Sequence, residues 1–61
     1  MNRYIMYNIE YNKKQHTYNV WKVLYVDDVP VAFKSMKSGT RKQCELYAKQ
    51  SKIKLDKVLP L

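Results

Sequence analysis

The chain has little with which to build a stapled or catalytic protein. Its 61 residues include one cysteine, one histidine, one glycine, two prolines and five acids. A single cysteine excludes an internal disulfide and fits a reducing compartment. His16 stands alone in a turn and the acids are scattered. No pair of side chains has the spacing of a nucleophile and its base, or of a general acid and base. Metal binding needs more His, Cys or paired carboxylates than are present. The expectation is therefore a protein that is not an enzyme, with no catalytic residue, no metal and no cofactor. Cys44 reads as a small buried residue, the usual setting of a free cysteine. No apolar run approaches the roughly 18 residues that span a bilayer. "MNRYIMYNIE" also lacks the apolar core of a secretory signal. These absences predict a complete, soluble, cytoplasmic chain without membrane contact.

What is present is apolar, aromatic and basic. Hydrophobic residues make up 46% of the chain, enough to argue against disorder despite 28% charged residues. A chain this short forms one domain, residues 1–61, and buries only about 60% of its unfolded surface. The net charge of +7 points to polyanionic partners such as nucleic acid or a nucleoprotein complex.

Alternation marks three strands, at about residues 3–11, 17–26 and 31–36. Asn12 starts the first turn, and Asp27 and Asp28 form the second, with Pro30 ending the bend. A helix follows at about 41–52. Thr40 and Gln43 have the spacing of a capping box, and Cys44, Tyr47, Ala48 and Ser51 fall on one helical face. Glu45 and Lys49 stand four apart in the favourable order. Residues 53–61 form an apolar tail with Pro60 near its end. The fold class is α+β: a three-stranded antiparallel β-meander packed by one C-terminal α-helix (β-β-β-α).

Both faces of "TYNVWKVLYV" are apolar, so register decides which is core. Pairing Tyr11 with Tyr18 sets Ile9 opposite Val20, Tyr7 opposite Lys22 and Ile5 opposite Leu24. Pairing Val26 with Val31 sets Leu24 opposite Phe33 and Lys22 opposite Ser35. The expected core is Ile5, Ile9, Val20, Leu24, Val26, Val31 and Phe33, with Lys22 a misfit beside Tyr7. The other face then carries Tyr4, Met6, Trp21, Val23, Tyr25, Ala32 and Met36, with Asn8, Asn19 and Lys34. One helix cannot cover both faces, and a patch of this kind exceeds what a monomer normally leaves in water. Its cover is the tail (Leu55, Val58, Leu59, Leu61), a second subunit or a partner. Leu46 and Ile53 form a further stripe on the helix, opposite Cys44.

Cations gather around the helix start. Lys37, Arg41 and Lys42 stand where free N–H groups and the helix dipole already make the end positive. A bound anion would relieve that repulsion, with Ser38 and Thr40 able to add hydroxyl donors. Aromatic Trp21 and Tyr25, with Lys34 beside them, offer a surface on which single-stranded bases stack.

The segments "YNIEYN", "YNVWKV", "VAFKSMKS" and "TRKQCELYAKQ" resemble the arm-type DNA-binding domain that precedes the core of phage and transposon tyrosine integrases. The resemblance implies a three-stranded sheet whose face enters the major groove while basic residues contact phosphates. By position it implicates Trp21, Lys34 and Lys37. The chain departs from that pattern in lacking a recombinase catalytic domain and turn glycines.

The leading expectation is a phage or mobile-element accessory or regulatory protein that contacts nucleic acid or a nucleoprotein complex. Lys34, Lys37, Arg41, Lys42, Trp21 and Tyr25 would carry that contact. The alternative is a protein-binding inhibitor or adaptor, for example of a host or defence enzyme. It would use Tyr4, Met6, Trp21, Val23, Tyr25 and Leu46, either alone or as a homodimer.

Overall fold

The structure, a computed structural model, describes residues 2–61. Four strands and one helix follow in the order β1 (Arg3–Asn12), β2 (Thr17–Val26), β3 (Val29–Gly39), α1 (Arg41–Gln50) and β4 (Leu59–Pro60). The sheet is antiparallel, with strand order β3-β2-β1-β4. It is therefore four-stranded, and the tail supplies the added strand.

The first hairpin has the expected register throughout: Tyr11 opposite Tyr18, Ile9 opposite Val20, Tyr7 opposite Lys22 and Ile5 opposite Leu24. Its turn is fixed by Asn12, whose Oδ1 accepts from the backbone N–H of Lys14 (3.0 Å) and Gln15 (3.3 Å). Such a side-chain bond to the following backbone is the usual way Asn begins a turn.

The second hairpin differs from expectation. Val26 pairs with Val29, not Val31, and the loop is only Asp27 and Asp28, with φ of 51° and 65°. Positive φ at both loop positions is the type I′ geometry that matches strand twist. Pro30 lies inside β3 opposite Tyr25 and does not end the bend. It is tolerated because β3 is an edge strand. β3 then bulges twice: Val31 and Met36 are each an extra residue with no partner on β2. Between the bulges Leu24 pairs with Ala32, Val23 with Phe33 and Lys22 with Lys34, and only beyond Met36 does the expected offset return, at Val20 and Lys37.

These bulges correct the predicted core. Phe33 lies on the face away from the helix and is 64% exposed, and Val31 is also exposed. Ala32 and Lys34 move the other way, to the helix side. Lys22 stays on the helix side, half-buried between Tyr7 and Lys34. The fully packed apolar core is small: Val20, Val23, Cys44 and Ala48. Val20, Cys44 and Ala48 join the sheet to α1, while Val23 is buried on the opposite face.

α1 opens with the expected capping box. The Gln43 N–H donates to Thr40 Oγ1 (3.2 Å) and the Thr40 N–H donates to Gln43 Oε1 (3.0 Å). The helix ends at Gln50, two residues earlier than expected. Lys52 adopts φ 55°, its N–H reaching Lys49 O, while the Ile53 N–H reaches Ala48 O. This pair of bonds is a Schellman closure. Ser51 is thereby an exposed cap and not part of the packed face. The ion pair on the helix is Arg41 with Glu45 (3.7 Å), not Glu45 with Lys49, and it is solvent-exposed.

From Ile53 the chain crosses to the free edge of β1. The Asp56 N–H donates to Tyr7 O (2.7 Å), Leu55 bridges to Tyr7, Leu59 pairs with Ile5, and the Leu61 N–H reaches Arg3 O (3.2 Å). The tail therefore closes the edge of β1 from Arg3 to Tyr7 and does not cover the outer face.

Gly39 sits against the capping box, with φ 150°, and a Cβ there would collide with Gln43 Oε1. Gly39→Ala is expected to destabilise by about 1–2 kcal/mol through backbone strain and displacement of that side chain. Thr40→Ala is expected to cost about 1 kcal/mol. Because both act on one device, the double variant should lose less than the sum in urea unfolding. Full additivity would show that Gly39 does not work through the cap.

Candidate functional site

The two faces of the sheet have opposite chemistry. The face away from α1 carries Tyr4, Met6, Asn8 and Glu10 from β1, Asn19, Trp21, Val23 and Tyr25 from β2, and Pro30, Phe33, Ser35 and Ser38 from β3. Among the described residues its strands place one acid there and no lysine or arginine. The helix side carries Arg3, Lys22, Lys34 and Lys37 and no acid from these strands.

The outer face forms a groove of about 460 Å³. Trp21, Val23 and Tyr25 make its floor along β2, Pro30 and Phe33 one wall, and Asn8, Glu10 and Asn12 the other. At one end Tyr4 stacks on Tyr25, with ring centroids 4.9 Å apart and an interplanar angle of 11°. The Tyr4 hydroxyl donates to Asp28 Oδ1 (2.9 Å). That hydrogen bond, with desolvation and the carboxylate charge adding to it, raises the Tyr4 phenol above its ordinary pKa.

Asn19 organises the middle of this face. It is buried, and its Oδ1 accepts from the hydroxyls of Ser35 (3.0 Å) and Ser38. Those two serines lie on either side of the Met36 bulge, so one amide holds the bulged segment to β2. Asn8, opposite Trp21, has an Oδ1 that is buried without a hydrogen-bond partner. An unpaired buried acceptor costs roughly 1–3 kcal/mol.

The helix side presents two lysines directly opposite each other, Lys22 and Lys34. Like charges so placed are destabilising, and the ladder gives neither an acidic neighbour. Lys37 lies next along β3 and lines a hollow with Gln43, Leu46, Tyr47 and Gln50. Arg41 and Lys42 occupy the first turn of α1, which contains no acid.

The proposed nucleic-acid residues are thus divided. Lys34, Lys37, Arg41 and Lys42 belong to the helix side and the helix start, whereas Trp21 and Tyr25 belong to the outer face. Tyr4, Met6, Trp21, Val23 and Tyr25 do share one face, and Leu46 lies apart from them, exposed on α1. Phe33, Asn8, Asn19 and Glu10 complete the groove. Asn8, Asn19 and Glu10 are legible by strand alternation, but Phe33 is not, because the Val31 bulge inverts its side.

Cys44 is fully buried against the sheet. Burial pushes its thiol pKa up, and the charge of Lys37 offsets this in part. Among the described residues no three His, Cys, Asp or Glu side chains are grouped to hold a metal ion, and no helix is long and apolar enough to cross a membrane. No family model, curated protein or solved structure matches the chain.

The Cys44 shift fixes a pH dependence. A thiol whose folded pKa is raised stabilises the fold fully below its unfolded value, about 8.5, and that contribution is lost as pH rises through the folded value. Urea midpoints should therefore fall above about pH 8.5, and Cys44→Ser should flatten that part of the profile. An unchanged alkaline profile in Cys44→Ser would assign the loss to other groups.

Proposed function

We propose that this chain is a small basic binding module that contacts nucleic acid, or a nucleoprotein complex, through the helix side of its sheet. The observation that carries this reading is the Lys22–Lys34 pair: two cations held opposite each other on a face that also bears Arg3 and Lys37. Such an arrangement weakens the free protein and favours a polyanion, whose phosphates relieve the repulsion. Lys42 and Arg41 at the helix start extend the cationic surface. Phosphate contacts of this kind position a nucleic acid without reading its sequence.

The resemblance to arm-type domains supports a DNA ligand, but with an altered geometry. In that family the exposed sheet face enters the groove, whereas here the described strands place no lysine or arginine on that face. Contact through the helix side leaves Trp21 and Tyr25 free of the nucleic acid. A second reading rests on those aromatics. The uncovered groove, with Trp and Tyr at its floor, has the residue types of a protein-binding hot spot. An inhibitor or adaptor using Tyr4, Met6, Trp21, Val23 and Tyr25 would bind there.

A salt titration separates the two readings. Binding to short duplex DNA, single-stranded DNA and RNA should weaken steeply with salt, with a slope of about −0.9 per duplex phosphate neutralised. Replacing Lys22, Lys34 and Lys37 together by Gln should reduce that slope by two to three contacts, roughly 2–3 units. Trp21 emission should not change on binding. Unaltered affinity in the triple variant, with far-UV circular dichroism intact, would overturn this reading.

A further inference from the structure

We propose that the outer face of the sheet is the interface of a two-fold symmetric homodimer, in which each copy inserts Phe33 into the groove of the other.

A folded monomer of 7.4 kDa is expected to expose about 4200 Å². This chain exposes 4893 Å². The excess, roughly 700 Å², approaches the roughly 800 Å² per partner of a standard interface. The Cα extents of 36 × 26 × 13 Å describe a plate. Its broad face has a projected footprint of up to roughly 900 Å² (36 × 26 Å), ample for an interface of that class.

Four small apolar residues are fully packed, while among the described residues seven large hydrophobic ones are exposed, and of these Phe33, 64% exposed, projects from the outer face. One core in a chain of this size rarely supplies more than a small margin of stability, and oligomerisation is one further source. Disulfides are excluded by the single cysteine. A cover needed whenever the chain folds is best met by another copy of the same chain.

Charge and shape select that copy. With a net charge of +7, most approaches between two molecules are repulsive. The outer face is the exception, because its strands present no lysine or arginine. Stacked through it, the two cationic faces point away from each other, separated by more than the roughly 8 Å Debye length at physiological salt. Trp, Tyr and Met enriched and Lys depleted is also the composition of an interface core. A two-fold contact requires projection and recess on one patch. Phe33 is the projection, and the groove beside it over Val23 and Trp21 is the recess. Two sheets packed about 10 Å apart then form a sandwich, within which the unpaired Asn8 Oδ1 can meet a donor from the other copy.

Sedimentation equilibrium of nucleic-acid-free protein at 10–100 μM in 0.5 M salt tests this directly. Wild type should sediment at twice 7.4 kDa, and its thermal midpoint should rise with protein concentration, as for any folding coupled to association. Phe33→Asp should give monomer or an unfolded chain, whereas Lys34→Gln, one residue away on the opposite face, should remain dimeric. A wild-type mass of 7.4 kDa with a concentration-independent midpoint overturns the proposal, and leaves the groove to a different protein. Dimer retained in Phe33→Asp overturns the assigned face.

Discussion

The arrangement of this molecule depends on how β3 hydrogen-bonds to β2. Two residues, Val31 and Met36, are inserted into β3 without partners. Each reverses the alternation of the strand, so the segment between them is inverted relative to its flanks. That inversion sends Phe33 to the outer face and Lys34 to the helix side. Bulges also bend and twist a strand, which suits a sheet with a groove on one side. Asn19 holds the second bulge with two serine hydroxyls. The separation of aromatic from cationic surface therefore rests on one strand's irregularity and one buried amide.

Much of the fold is legible in the sequence where local chemistry and periodicity agree. Asn12 and the even loop fix the first hairpin, whereas alternation alone does not choose its register, because both faces of "YNVWKVLY" are apolar and a one-residue slip would make Trp21 core. Thr40 and Gln43 mark the helix start because their side chains satisfy backbone donors that would otherwise be free. The second hairpin is less legible because two Asp residues in left-handed conformation replace the glycine that usually marks such a turn. Neither bulge has a glycine signal, so a period-two reading runs through both and places Phe33 on the wrong face. The helix closure at Lys52 is hidden for the same reason. β4 is two residues long and includes Pro60. It carries no periodicity of its own and exists because β1 has an open edge. Of the site, strand alternation gives Trp21, Tyr25, Tyr4 and Met6 a common face, but the side on which the lysines stand depends on the bulges.

Charge placement links fold to function more directly than total charge does. A net charge of +7 is compatible with lysines spread over the whole surface. Here the strands carry them on one side only, and the helix start adds Arg41 and Lys42. The opposite face has the aromatic residues and a single acid, Glu10. Two faces of separate polar and apolar character differ from a single mixed surface in that each can be covered without the other.

The bulges and Pro30 have one more consequence, for the strand edge itself. β4 and Leu55 occupy the free side of β1 from Arg3 to Tyr7, which leaves β3 as the longest open edge. An open edge of eleven residues would normally template pairing with other chains and growth toward fibrils. Pro30 offers no N–H, and Val31 and Met36 each break the regular spacing of donors and acceptors. No stretch of β3 is long, flat and uninterrupted enough to accept another strand in register. The irregularity that sorts the side chains between the two faces also stops the sheet from extending along β3.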